Sequence, residues 1–185
     1  MMIHNKWSTP IEVGDFSIEG LADHILLNYN MSDPPADNNY NIFNDESKPI
    51  SDLKQIAYDN FAAYINRCYG VDITKIYKHE MKAWITGHGD HYSMAQHNHM
   101  GSWFSSVYYV LAEEQDKGGE IVFGDPRSNA NRGYDTRFAK HFEPFQLTPK
   151  TGQFVNFPSF VYHHVNRYYS KFRIAIPIDL YLYED

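Results

Sequence analysis

Cysteine is nearly missing from the chain: one residue in 185, Cys68, which excludes an intramolecular disulfide framework. No apolar run approaches the roughly 18 to 20 residues that a membrane-crossing helix needs, so insertion into a bilayer is not expected. The start, MMIHNKWSTP, lacks the apolar stretch of a signal peptide. Together these absences predict a cytoplasmic protein. Positive charge is in deficit as well, with 16 Lys and Arg against 23 Asp and Glu and a net charge of −7. Such a field repels phosphates, which argues against nucleic acid as a partner. Internal repeats are lacking, and no Ser-His-Asp or Cys-His arrangement points to a nucleophilic enzyme. Cys68 itself falls on the expected core face of a helix.

Apolar and aromatic residues are plentiful: 43% of the chain is hydrophobic and 16% aromatic, with 15 Tyr and 12 Phe. That is enough for one substantial core, and the length favours one domain. Ser17 followed by Ile18, Leu21, Ile25, Leu26 and Tyr29 predicts a short capped amphipathic helix. Residues 31–49, rich in Pro, Asn and Asp, read as a long connection or a lid. Ser51 then caps a predicted helix with Leu53, Ile56, Ala57, Asn60, Phe61, Tyr64, Ile65 and Cys68 on its core face, stopped at Gly70. From Lys75 the pattern turns to strands: KIYKHEMKAWITGHG, QHNH, SWFSSVYYVL, GEIVFG, GQFVNF, YHHV and KFRIAIPIDLYL. Helices followed by many strands give an α+β class. The expected architecture is a double-stranded β-helix (jelly roll) with N-terminal helices packed on one sheet, forming a single domain over 1–185. Within it, 1–72 supply helical support and a loop, and 73–185 supply the jelly-roll core.

Among 10 histidines, three have suggestive spacing. On an extended strand residues i and i+2 share a face, so His97 and His99 can reach one metal ion while Asn98 points away. A distant histidine can complete one face of an octahedral metal and leave the opposite face open, the arrangement of non-haem iron oxygenases. His163 and His164 both qualify, although adjacent strand residues point to opposite faces and only one can reach the metal. Val161 and Val165 share the face of His163. Arg173 follows ten residues after His163. Alternation in KFRIAIPI puts Phe172, Ile174, Ile176 and Ile178 on one face, with Arg173, Ala175 and Pro177 on the other. An arginine turned into a jelly roll needs an anion, and its planar fork suits a carboxylate. Alternation also groups Ser105, Val107 and Tyr109, leaving Tyr108 on the opposite face. Gly118 and Gly119 read as a tight turn, and Asp125, Pro126 and Arg127 as a structural turn.

The runs HNHMGSWFSSVYYVLAEEQDKGGEIVFGDPR, PKTGQFVNFPSFVYHHV and RIAIPIDL resemble, in that order, the Fe(II)- and 2-oxoglutarate-dependent oxygenases, specifically the small oxygenase branch found in bacteria and phages. The resemblance spans roughly residues 75 to 180. It implies that His97, His99 and His163 bind Fe(II), with the FPSFVYH match selecting His163 over His164. It also implies that Arg173 and Tyr109 hold the far carboxylate of 2-oxoglutarate. The implied reaction hydroxylates a substrate with O2 and releases succinate and CO2. His99 stands where the wider superfamily usually has Asp or Glu, which leaves the iron more positive by one charge. Asp90 and Asp125 are the nearby acidic alternatives. The substrate class stays open between a peptidyl side chain, an amino acid and a small metabolite. Selectivity is expected from residues 31–49 and from the segment between Asp125 and Phe145, with Trp103 and Arg127 as candidate substrate contacts. Two competing readings are a cupin-like three-histidine metal enzyme that uses no 2-oxoglutarate and a non-catalytic jelly-roll binding module.

Overall fold

A computed structural model describes residues 8–30, 40–88, 91–112, 117–127, 143–170 and 173–184. Among the described residues ten strands form two antiparallel sheets, and helices cover one of them. The larger sheet runs in the order β1 (Glu12–Asp15), β8 (Gln153–Pro158), β5 (Phe104–Leu111), β10 (Arg173–Glu184) and β2 (Tyr77–Ala83), with β3 (Thr86–His88) also paired to β10. The smaller sheet is β4 (Met94–His97), β9 (His163–Val165), β6 (Ile121–Phe123) and β7 (Phe145–Leu147). This is the expected jelly roll, with the N-terminal helices packed on the larger sheet. No helix among the described residues is long and apolar enough to cross a membrane.

Strands β5 and β10 are buried on both faces, and their period of two divides the interior into two cores. Toward the helices, Tyr108, Val110, Ile174, Ile176, Ile178 and Leu180 join Leu53, Phe61, Tyr64 and Ile65. Toward the smaller sheet, Val107, Tyr109 and Ala175 meet Ile121, Phe123, Val155, Phe157 and Val161. Pro177 is tolerated within β10 because it lies where the neighbouring strand changes. Ala83 of β2 is opposite Ile178, Thr86 of β3 is opposite Ala175, and the proline's missing N–H falls in the interruption between them.

Helix α1 (Leu21–Asn28) begins after Gly20 in the left-handed region, so Ser17 does not cap it. Helix α2 (Lys48–Tyr69) starts earlier than Ser51: Ser47 is its N-cap residue and Pro49 sits in the first turn, where a missing N–H costs nothing. The stop at Gly70 is as expected. Cys68 is exposed, not on the core face, because the last turn of α2 from Asn66 onward is exposed. The expected long connection is interrupted by a 3-10 helix, Ile42–Asn44, whose Ile42 and Phe43 are buried. Residues 31–39 lie outside the described residues. A short helix α3 (Ile73–Ile76) precedes β2, and the single strand expected over residues 75–89 is divided into β2 and β3.

Phe61 is fully buried between α2 and the larger sheet, and removing a ring from such a site leaves a cavity as well as a lost transfer term. Phe61→Ala is expected to lower unfolding stability by about 3 to 5 kcal/mol. A denaturant titration with unchanged slope and a lower midpoint is the measurement that checks it.

Candidate metal centre

Strands β4 and β9 pair so that His97 lies opposite His163, and this register brings the two rings to a centroid distance of 4.4 Å. His99 arrives differently from the way its spacing suggests. β4 ends at His97, and the backbone N–H of His99 donates to the carbonyl of Ser159 at 3.0 Å, which places His99 beside the pair without a shared strand. One nitrogen from each of His97, His99 and His163 lies within 4.8 Å of the others.

Each ring has its Nδ1 committed. The Nδ1 of His97 donates to the carbonyl of Ala95 at 2.8 Å, and that of His163 to the carbonyl of Val161 at 3.0 Å. Carbonyls only accept, so the proton sits on Nδ1 and Nε2 is left as a lone pair for a metal. His99 turns its Nδ1 to Asp179 Oδ1 at 2.8 Å. Burial pushes His97 below the ordinary imidazole range and lowers His163 from 6.5 to about 4. A ring that stays neutral well below pH 7, as that of His163 does, is ready as a ligand.

The cleft lined by the three histidines continues past Trp84, Thr86, Tyr92 and Ala175 to Arg173. Arg173 is 2% exposed, its guanidinium lies 5.1 Å from the centre of the Tyr109 ring, and Tyr109 is fully buried. Among the described residues neither Arg173 Nε nor Tyr109 Oη has a hydrogen-bond partner. Burial raises the Tyr109 phenol above its ordinary value, with Arg173 pulling partly back. Gly119 matters to this end of the cleft: its φ is 77°, and a Cβ there would stand 3.3 Å from Cδ of Arg173 and 3.0 Å from the Tyr168 ring. The neighbouring Gly118 could not carry a side chain either, since a Cβ would overlap the Arg167 carbonyl oxygen. The glycine pair is therefore a close-approach device as well as a turn.

The residues expected off the site and the alternatives to its members fall as follows. His164 is half-buried and pairs with Val122 in the smaller sheet. Tyr108 stacks on Phe16 at 4.5 Å and donates to the Phe16 carbonyl, on the helix side. Asp125 is engaged by the guanidinium and backbone N–H of Arg127 in an exposed turn, so it is not an alternative ligand here. Asp90 and Phe172 lie outside the described residues, as do residues 128–142, which make up most of one expected selectivity segment. Trp103 is exposed. Sequence reasoning missed Tyr92, Trp84 and Asp179. The last was within reach, because the alternation that turns Arg173, Ala175 and Pro177 inward reaches Asp179 one step later.

A jelly roll with three convergent imidazoles at one end of a cleft and a buried guanidinium at the other defines a metal-dependent enzyme of the facial-triad class. A family model described as "Putative 2OG-Fe(II) oxygenase" matches residues 82–179, more than half of the chain, and the chain belongs to that family. Fe(II) is accordingly its metal and 2-oxoglutarate its co-substrate. No curated protein matches the chain in sequence.

Among solved structures, a Pseudomonas putida prolyl-4-hydroxylase is similar over 96% of this chain and 89% of its own, at 13% identity and a TM-score of 0.61. HygX from Streptomyces hygroscopicus, solved with nickel and 2-oxoglutarate bound, is similar over 93% and 81% at 10% identity and a TM-score of 0.57. An oxidoreductase of the 2OG-Fe(II) oxygenase family from Burkholderia pseudomallei is similar over 76% of this chain at 12% identity and a TM-score of 0.54, and the chain spans 59% of that protein. At these identities the likeness is one of fold.

The buried neutral state of His163 links stability to pH. The unfolded chain takes up a proton near 6.5 and the folded chain only near 4, so more protons are bound when unfolded across that window and acid destabilises the fold. In metal-free protein, unfolding stability is expected to fall by about 3 kcal/mol from this group alone between pH 6.5 and about 4. A His163→Gln variant should show a shallower slope over the same range in denaturant titrations.

Proposed function

We propose that the chain is a 2-oxoglutarate- and Fe(II)-dependent dioxygenase that hydroxylates a small-molecule or peptidyl substrate and releases succinate and CO2. His97, His99 and His163 hold the iron through Nε2, and Arg173 with Tyr109 holds the far carboxylate of 2-oxoglutarate. The observation that carries this reading is the buried pair of donors at the Arg173 end of the cleft: among the described residues neither Arg173 Nε nor Tyr109 Oη has a hydrogen-bond partner within range. Among the described residues no carboxylate pairs with Arg173; a buried cation without a counter-ion is costly, and a carboxylate accepting from both groups relieves that cost. The same pair disfavours a cupin-like site without a keto acid and a non-catalytic module, neither of which needs a buried anion receptor.

The donor set fits the metal: three neutral imidazoles suit ferrous iron, and ligands confined to one side leave positions for a chelating co-substrate and oxygen. When bound, the two cofactors supply the oxidising chemistry, in which one oxygen atom of O2 enters the substrate C–H bond and the other enters succinate as CO2 leaves. The residues of the chain position and enclose. Arg173 and Tyr109 orient the co-substrate from its far end. Ala175 keeps the cleft wall low between that end and the histidines, and Val107 and Ile121 keep it apolar. Trp84 stacks beside His99 at a centroid distance of 5.7 Å.

The whole chain is proposed to act as one oxygenase domain, since β1 from its N-terminal part pairs with β8 and the helices cover the larger sheet. An exposed free thiol at Cys68 suits a reducing compartment, and the cytoplasm is the proposed location.

Anaerobically loaded protein exposed to O2 and 2-oxoglutarate is expected to form succinate slowly even without its own substrate, and faster when peptide or metabolite pools contain that substrate. Arg173→Ala is expected to keep Fe(II) binding while weakening 2-oxoglutarate binding about 100-fold or more, as truncation of one partner in a buried charged pair does. Succinate formation that is indifferent to Arg173, or turnover without any keto acid, would overturn the reading.

A further inference from the structure

We propose that Asp179 is a positioning residue of the metal centre: an outer carboxylate that fixes His99 as a ligand and returns to the site the negative charge that a ligating Asp or Glu would have supplied. The inference rests on the three-histidine iron site proposed above.

The three imidazoles are not held alike. His97 and His163 each turn Nδ1 to a neutral backbone carbonyl, whereas His99, the residue standing where a carboxylate is expected, turns Nδ1 to a carboxylate at 2.8 Å. Both side chains of that pair are buried, 6% exposed for His99 and 8% for Asp179. His99 is the one basic side chain within ion-pair range of Asp179 among the described residues. The same Asp179 oxygen accepts from Ser105 Oγ at 2.7 Å. With its own proton on Asp179, Ser105 accepts from Ser159 at 2.8 Å, and the single Ser102 hydroxyl proton is shared between Ser159 Oγ at 2.8 Å and the His99 carbonyl at 3.1 Å. The His99 N–H closes the circuit on the Ser159 carbonyl.

His99 is thus held at its side chain, its N–H and its carbonyl by one largely buried network in which, among the described residues, Asp179 is the only carboxylate. A purely structural loop clamp has no need of that charge. Next to a metal it has a use, because an anionic partner raises the basicity of the imidazole it bonds and fixes which nitrogen faces the ion. Counted with this outer carboxylate, the site carries the same net charge as one with two histidines and a ligating carboxylate.

Asp179→Asn separates the two roles, since its amide oxygen still accepts from Nδ1 but brings no charge, and Asp179→Ala removes both. Anaerobic titration with Fe(II), and with Co(II) as a redox-inert probe, is expected to show affinity roughly tenfold weaker for Asp179→Asn and roughly 100-fold weaker for Asp179→Ala. The visible band that appears when 2-oxoglutarate is added to the Fe(II) protein should move to shorter wavelength in Asp179→Asn, because an iron with less electron density gives up an electron to the ligand less readily. Ser105→Ala, which leaves the aspartate but loosens it, should weaken metal binding a few-fold and serves if the Asp179 variants fail to fold. Wild-type affinity and an unmoved band in the variants that fold would overturn the inference and leave the metal site standing. A wild-type chain that binds neither metal would instead bring down the site itself.

Discussion

The site depends on one strand being buried on both faces. β10 sends Ile174, Ile176, Ile178 and Leu180 into the core under the helices, and that apolar face anchors it at the centre of the larger sheet between β5 and β2. The opposite face is then free to carry what a hydrophobic core would otherwise reject: Arg173 at one end and Asp179 at the other, with Ala175 and Pro177 between them. Two opposite charges on one inward face stay apart because they stand six positions apart on an extended strand. The cation lines the cleft beside Tyr109, and the anion is engaged by His99 and Ser105. The desolvation cost of the anion is offset locally by those two partners, and the strand is not asked to bring the two charges together.

The metal side is organised by backbone. β4 and β9 meet at His97 and His163, and the carbonyls of Ala95 and Val161, each two residues upstream of its histidine, fix the two rings in the same tautomer. His99 lies beyond the end of β4 and is placed instead by the turn around Ser159 and by Asp179. This division changes the meaning of a histidine at that position. The sequence suggests an iron left one charge more positive, but the carboxylate has moved outward by one imidazole and has not been lost.

Much of this was legible in the chain. Alternation assigned the faces of β5 and β10 correctly, including the opposed directions of Tyr108 and Tyr109, because both strands are long and a slip of one residue would exchange core for cleft. The stripe on α2 was equally clear, apart from its ends. The caps were less so: Ser17 and Ser51 have the right chemistry for a cap, but Gly20 and Ser47 hold the positions, and local propensity cannot choose among neighbouring polar residues. Strands β1 and β7 are short and lie at sheet edges, where one or no buried face leaves no periodic signal to read.

By itself the sequence determined the alternation of β10, the residue types able to bind iron and a carboxylate, and their order along the chain. These follow from covalent spacing, which fixes which side chains share a face of an extended strand. Only the tertiary structure decided that Asp179 stands behind His99, that Gly119 lets the chain close over Arg173, and that Asp125 is spent on Arg127. Each of those contacts joins segments far apart in sequence or turns on a loop's path, and through-space proximity is set by packing, on which residue spacing is silent.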